Sequence, residues 1–140
     1  MGARRTARER ALQALYQLEM TDGQADAALA AAWAASAEGD KPDPETKRFA
    51  LELVSGVRDH LADIDSLISE YSHHWRVDRM TRIDRNVLRI GIFELKYRPE
   101  IPRSVSIDEA VELGKTYGTE DSSAFVNGLL DRIAQALPKT

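Results

Sequence analysis

The chain has 140 residues and no cysteine, which excludes disulfides and thiolate chemistry. No apolar run approaches the roughly 18 residues of a membrane span. Basic residues near the start are followed by no apolar stretch of secretory type, so a cytoplasmic protein is the expectation. Runs of β-branched residues and strand alternation are missing. So are internal repeats, low-complexity tracts, a glycine-rich phosphate loop and any nucleophile motif. These absences point to an all-α protein that is neither an enzyme nor a cofactor carrier.

What is present fits that outline. Hydrophobic residues make up 43%, enough for a core, and charged residues 30%, as in a soluble protein. The length suits one domain, residues 1–140, or two tightly joined subdomains, which would fall at roughly 1–72 and 73–140. Net charge is −4, which alone argues against nucleic acid, but the charge is segregated. Residues 1–10 hold four Arg and one Glu, and residues 75–98 hold seven basic and three acidic groups. A chain divided this way can carry a basic face despite an acidic balance.

Alanine, leucine and glutamate dominate, and about seven helices are expected. The first runs from Arg4 to Met20 and stops at "TDG"; a short alanine-rich one spans Ala25–Ala37. "GDKPDP" breaks the chain. Asp43 is a plausible N-cap, with Pro44 at the first helical position, where its missing N–H costs nothing. A long helix to Tyr71 follows, bent near Gly56–His60, and "HHWRVDRM" reads as a connector or short turn. In the helix at Arg82–Tyr97, Ile83, Val87, Leu88, Ile90, Ile92, Phe93, Leu95 and Tyr97 surround nearly the whole wheel. Only Arg85, Arg89 and Lys96 form a polar wedge, so this helix is central and buried. Gly91 allows close helix contact. "SIDE" (Ser106–Glu109) has the form of a capping box and starts a helix to Tyr117, with Gly118 at its C′ position. The last helix starts at Asp121–Ser122 and ends near Leu137; Val126, Leu130 and Ile133 are its core.

"ARRTARERALQALYQLEM" poses a question, because helix N-termini favour anions. Ala11, Leu12, Leu15 and Leu18 define the apolar face. Arg4, Arg5 and Arg8 lie on that same side, and only Arg10 points away with Gln13 and Gln17. Either the helix overhangs its bundle or these side chains cover the bundle edge. A cationic patch beside exposed N–H groups suits phosphates; salt bridges covering the edge suit the sequence nearly as well. Metal and enzyme signatures are weak. His73 and His74 are adjacent and cannot share a site on a helix. His74 and Asp78 are four apart, without a third ligand. Glu94 falls inside the apolar arc and reads as a structural group, paired with an arginine or capping a neighbouring helix.

Four segments together resemble the NusB family of bacterial transcription antitermination factors: "RRTARERALQALYQLE", "IDRNVLRIGIFEL", "IPRSVSIDEAVELGKTYG" and "EDSSAFVNGLLDRI". The resemblance covers the whole chain in order and is weakest over residues 22–45 and 72–82. It implies an all-α fold of two packed three-helix subdomains. It also implies binding to the boxA element of nascent RNA, jointly with NusE, a ribosomal small-subunit protein. That pair joins an RNA polymerase complex that resists transcription termination, notably on ribosomal RNA operons. By position Arg4, Arg5 and Arg8 match the family's RNA-contacting end, and Tyr16, Asp121 and Phe125 match residues beside the RNA and partner surface. Asp84 and its helix neighbours Arg85 and Arg89 match the NusE-facing side.

Each residue also has a plainer reading. Tyr16 and Phe125 sit at the margins of apolar arcs and could be core, although Phe125 could equally be a base-stacking platform. Asp121 is a good N-cap, and Asp84 opposes a helix dipole. Two other functions stay open. One is a self-associating helical module, whose homodimer could bury the arginines. The other is an RNA-binding domain related to those of rRNA cytosine methyltransferases, which requires a Rossmann-type domain and a glycine-rich cofactor loop.

Overall fold

The computed structural model describes residues 2–36, 42–73 and 76–138. Among them are seven α-helices: α1 (Ala3–Met20), α2 (Ala25–Ala34), α3 (Pro44–Asp59), α4 (Leu61–Tyr71), α5 (Arg82–Tyr97), α6 (Arg103–Tyr117) and α7 (Ser122–Ala136). A 3-10 turn at Val77–Arg79 precedes α5. The chain divides into two compact units between Asp59 and His60. The sequence placed that division near residue 72. It falls earlier because α4 packs on α5 and α7 and so belongs to the second unit, which therefore holds four helices rather than three.

In the first unit α1 packs on both α2 and α3. Its buried face is small, with Ala7, Ala11 and Ala14 beside Leu12 and Leu15, so neighbouring helices approach closely. α3 answers with Phe49, Ala50, Leu53, Val54 and Val57 at helical spacing. Asp43 caps α3 as expected: its Oδ1 accepts the Thr46 N–H at 2.8 Å. That backbone hydrogen bond holds the Asp43 carboxyl below the usual range.

The long helix expected from Pro44 to Tyr71 is two helices. His60 interrupts it with φ −113° and ψ 21°, and its ring stacks on Tyr97 at 3.9 Å between centroids. The break falls at the end of the Gly56–His60 stretch where a bend is expected. The "GDK" part of the preceding break (residues 39–41), the expected last residue of α2 (Ala37) and His74 of the possible metal pair lie outside the described residues.

The second unit is organised around α5. Every residue from Asn86 to Leu95 is buried, as the apolar wheel predicts. Gly91 serves close approach: a Cβ there would lie 2.7 Å from Leu130 Cδ1. A buried polar pair ties α5 to the helix that follows. Glu94, 1% exposed, accepts a hydrogen bond from the Ser106 hydroxyl at 3.0 Å. α6 therefore starts at Arg103, three residues before the expected capping box, with the Pro102 carbonyl accepting the first backbone bonds. Ser106 is an interior group, not a cap. Gly118 ends α6 with extended backbone at φ −96°, so left-handed freedom is not what that position requires. Arg103 closes the unit by donating to the carbonyls of Ala134, Leu137 and Pro138 at 2.6–3.1 Å, a cation at a helix C-terminus.

Candidate nucleic-acid and partner interface

The arginines of α1 resolve into three different situations. Arg4 is exposed, with its guanidinium carbon 4.6 Å from the Phe49 ring centroid. Arg5 is half-buried. Arg8 is 4% exposed and lies 5.4 Å from the same ring. The first turn of α1 contains no acidic residue and has no side-chain cap. The cations sit at this N-terminus because an aromatic ring on α3 attracts them with its negative face, while their stems cover the bundle edge. Arg8 is thus packed inside the unit, not displayed beside Arg4. Arg10 does not point away either: it is half-buried, donates to Gln13 at 3.3 Å and lies 5.7 Å from the Trp33 ring centroid.

Tyr16 presents its ring at the surface, 36% exposed, and Met20 one turn later is 56% exposed. Core packing alone does not account for that much apolar surface on one turn. The first unit therefore offers a guanidinium for phosphate and an aromatic face for a base or an apolar partner.

The second unit has a cavity of about 370 Å³ lined by Arg79, Met80, Thr81, Asp84, Asp121 and Phe125. Thr81 is the N-cap of α5, accepting the Asp84 N–H at 3.1 Å. The Thr-x-x-Asp pattern at 81–84 is a capping signal that sequence reading passed over. Asp84 Oδ1 accepts a 2.6 Å hydrogen bond from the Ser122 hydroxyl. Asp121 occupies the N-cap position of α7, but its side chain makes no capping bond. Among the described residues the Asp121 carboxylate is left to the cavity, so capping does not explain it. Phe125, one turn on, is half-buried and shows part of its ring to the same space.

Arg85 is half-buried and donates to the Met80 carbonyl at 2.9 Å, holding the cavity rim. Arg89 lies elsewhere. It is 8% exposed and forms a two-point pair with Asp65 of α4, both contacts at 2.9 Å, plus a 3.1 Å bond to Asn86. The polar wedge on α5 is real, but at Arg89 it faces α4. That guanidinium is used inside the unit and is not presented to a partner.

Two carboxylates, a hydroxyl, a guanidinium and an aromatic edge around one cleft are recognition groups. Carboxylates accept from exocyclic amines of bases or from basic side chains, and rings stack. Among the described residues no group of three or more His, Asp or Glu could hold a metal ion. No helix there is long and apolar enough to cross a membrane.

The NusB family profile matches residues 5–135. The chain is 68% identical to the transcription antitermination protein NusB of Myxococcus xanthus (strain DK1622), over 99% of both chains. Its fold is similar to that of T. maritima NusB, with a TM-score of 0.82 and 41% identity over 94% of this chain and 90% of that one. It is also similar to a chain from a crystal structure of antitermination factors NusB and NusE in complex with double-stranded RNA. There the TM-score is 0.85 and the identity 28%, over 98% of this chain and 99% of the other.

Proposed function

This chain belongs to the NusB family, and from that premise we propose how an antitermination factor, not an enzyme, uses its two clusters. It binds boxA RNA of nascent ribosomal RNA transcripts together with a NusE-type ribosomal protein. The pair acts in the cytoplasm within an RNA polymerase complex that resists termination. Arg4 and Arg5 contact phosphates, and Tyr16 and Phe125 offer faces for unstacked bases. Asp121 accepts from a base edge, and Asp84 and Arg85 face the protein partner. Arg8 supports Arg4 through Phe49, and Arg89 holds α5 to α4.

The observation that carries this reading is the match, along 98% of the chain, to a protein crystallised with NusE and RNA. The chain's own geometry adds to it: the cleft carboxylate of Asp121 takes no part in capping. If Arg4 and Arg5 each contact one phosphate, the two contacts give a salt slope of about −1.4 on single-stranded RNA, roughly 0.7 each. Binding by the chain alone is therefore weak.

The test is a titration of boxA RNA at two salt concentrations, with and without NusE. The expected result is a shallow slope alone and tighter binding with NusE. By linkage, RNA must tighten the protein pair by the same factor. Equal RNA affinity with and without NusE would remove the joint platform. Sedimentation of the same samples reads the competing possibility, a homodimer that covers the arginines and is dispersed by RNA.

A further inference from the structure

We propose that Ser122 is a positioning residue: its buried hydroxyl aims the Asp84 carboxylate into the cleft and fixes the turn that presents Asp121. The inference rests on the reading of that cleft as the recognition site.

Ser122 is 1% exposed, and its single hydroxyl is used in both directions. It donates its proton to Asp84 Oδ1 at 2.6 Å and accepts the Thr119 N–H at 2.9 Å. The first bond joins the start of α7 to the start of α5, and the second closes the loop between α6 and α7. A hydrogen bond to a carboxylate is shorter and stronger than a neutral one, so Asp84 is held in one rotamer. One oxygen is anchored, and Oδ2 is left for a ligand.

The same bond pattern explains why Asp121 faces the cleft. An aspartate at an N-cap ordinarily adopts extended backbone and turns its carboxylate back onto the helix N–H groups. Here Asp121 has helical backbone at φ −89° and ψ −12° and makes no side-chain cap. The turn is closed by Ser122 instead, through its side chain and through its N–H to the Thr119 carbonyl at 3.1 Å. Asp121 is released from structural work by the residue beside it.

Gly118 belongs to the same device. A Cβ there would stand 2.3 Å from Ser122 Oγ and 2.7 Å from its Cβ. The φ of −96° is open to any residue, so it is the close approach of Ser122, and of the Gly114 carbonyl oxygen at 2.8 Å, that demands glycine. Gly118→Ala displaces the hydroxyl without removing it.

The experiment is a double-mutant cycle on the full chain: Ser122→Ala, Asp84→Ala and the double variant. Each is assayed for assembly with boxA RNA and NusE well below its melting temperature, with urea melts run alongside. A residue that acts through another loses its effect once that other is gone. We expect Ser122→Ala to weaken assembly by about tenfold in the parent and by clearly less in the Asp84→Ala background, where only its effect on Asp121 is left. Gly118→Ala, which also presses on the Gly114 carbonyl, should reproduce the Ser122→Ala defect; Ser122→Cys, which keeps a similar shape but only a weak donor, decides the matter if Ser122→Ala does not fold. If Ser122→Ala lowers only the urea midpoint and binds as the parent does, Ser122 is merely structural and the proposal falls. An equal loss from Ser122→Ala in both backgrounds also overturns it, because Asp84 is then not its route. If Asp84→Ala binds like the parent, the recognition role of Asp84 is what fails, and the inference fails with it.

Discussion

The guanidinium carbon of Arg8 lies 5.4 Å from the centroid of the Phe49 ring, in a side chain only 4% exposed. Arg4 shares that ring from the exposed side at 4.6 Å. One aromatic thus divides two neighbouring cations into a buried prop and a displayed group, and their substitutions separate accordingly. Arg8→Ala removes packing as well as charge and lowers stability by about 1–3 kcal/mol. Arg4→Ala removes an exposed cation–π contact of about 0.5–1 kcal/mol, but makes the RNA salt slope shallower by about 0.7. Urea melts and RNA titrations of both variants check this. The opposite pattern, with Arg8→Ala stable and a weak RNA binder, would return Arg8 to the contact surface.

Arg89 and Asp65 form a parallel two-point ion pair, with both distances at 2.9 Å. Removing one member of a buried pair costs about 3–5 kcal/mol. Asp65 is 28% exposed on its side chain, so Arg89→Ala should fall at the lower end of that range. Arg89→Lys recovers little, since an ammonium cannot reproduce the fork. The measurement is the denaturant midpoint. A partner-binding defect with unchanged stability would show instead that Arg89 faces NusE.

The sequence discloses this fold wherever local pattern and tertiary context agree. α5 is legible because its apolar residues nearly encircle the wheel, and only a helix buried between others tolerates that. Asp43 is legible as a cap because Pro44 follows it. The misreadings share one cause: each depends on a partner distant in sequence. A bend is expected near Gly56–His60, but that it becomes a full break at His60, whose ring stacks on Tyr97, depends on a distant residue. Ser106 sits in a sound capping pattern, but Glu94 on the preceding helix claims its hydroxyl. The wheel gives the direction of Arg8 and Arg89 on their helices. It cannot supply the ring of Phe49 or the carboxylate of Asp65, 24 residues from Arg89. For the candidate site, the nine named residues include the exposed groups, while the hydroxyl that arranges two of them, Ser122, was passed over in favour of the adjacent aspartate.

Glu94 supplies a third prediction. Its side chain is 1% exposed and accepts a hydrogen bond from the Ser106 hydroxyl at 3.0 Å. Glu94→Gln keeps the shape but puts an NH2 donor in place of one acceptor oxygen, and a buried group left badly paired costs about 1–3 kcal/mol. Ser106→Ala should destabilise as well, and the two losses should fail to add, since both break one contact. RNA binding by the folded variants should be unchanged. A Glu94→Gln protein as stable as the parent yet unable to bind RNA or NusE would place Glu94 in the recognition surface.

The last prediction concerns pH. Asp63 Oδ2 accepts from Lys96 Nζ and from the Tyr97 hydroxyl, each at 2.6 Å. These bonds, Lys96 first and Tyr97 second, hold the Asp63 carboxyl below its usual range. The same hydrogen bond pushes the Lys96 ammonium up. Burial, followed by the bond to Asp63, pushes the Tyr97 hydroxyl up, so it keeps the proton it donates. For a carboxyl lowered on folding, the stabilisation is complete above the unfolded value of about 3.9 and is lost as pH falls through the lower folded value. For a lysine raised on folding, it is complete below the unfolded value of about 10.4 and is lost as pH rises through the higher folded one. The cluster therefore contributes most across the neutral range and fades at both ends. Its side chains are one-third to one-half exposed, so the contribution stays under about 1 kcal/mol and shrinks with salt. Urea midpoints of the parent and Asp63→Asn between acid and alkaline pH measure it. The gap should be flat through neutrality and close toward strong acid; a gap that persists unchanged at low pH would mean the loss comes from packing rather than charge.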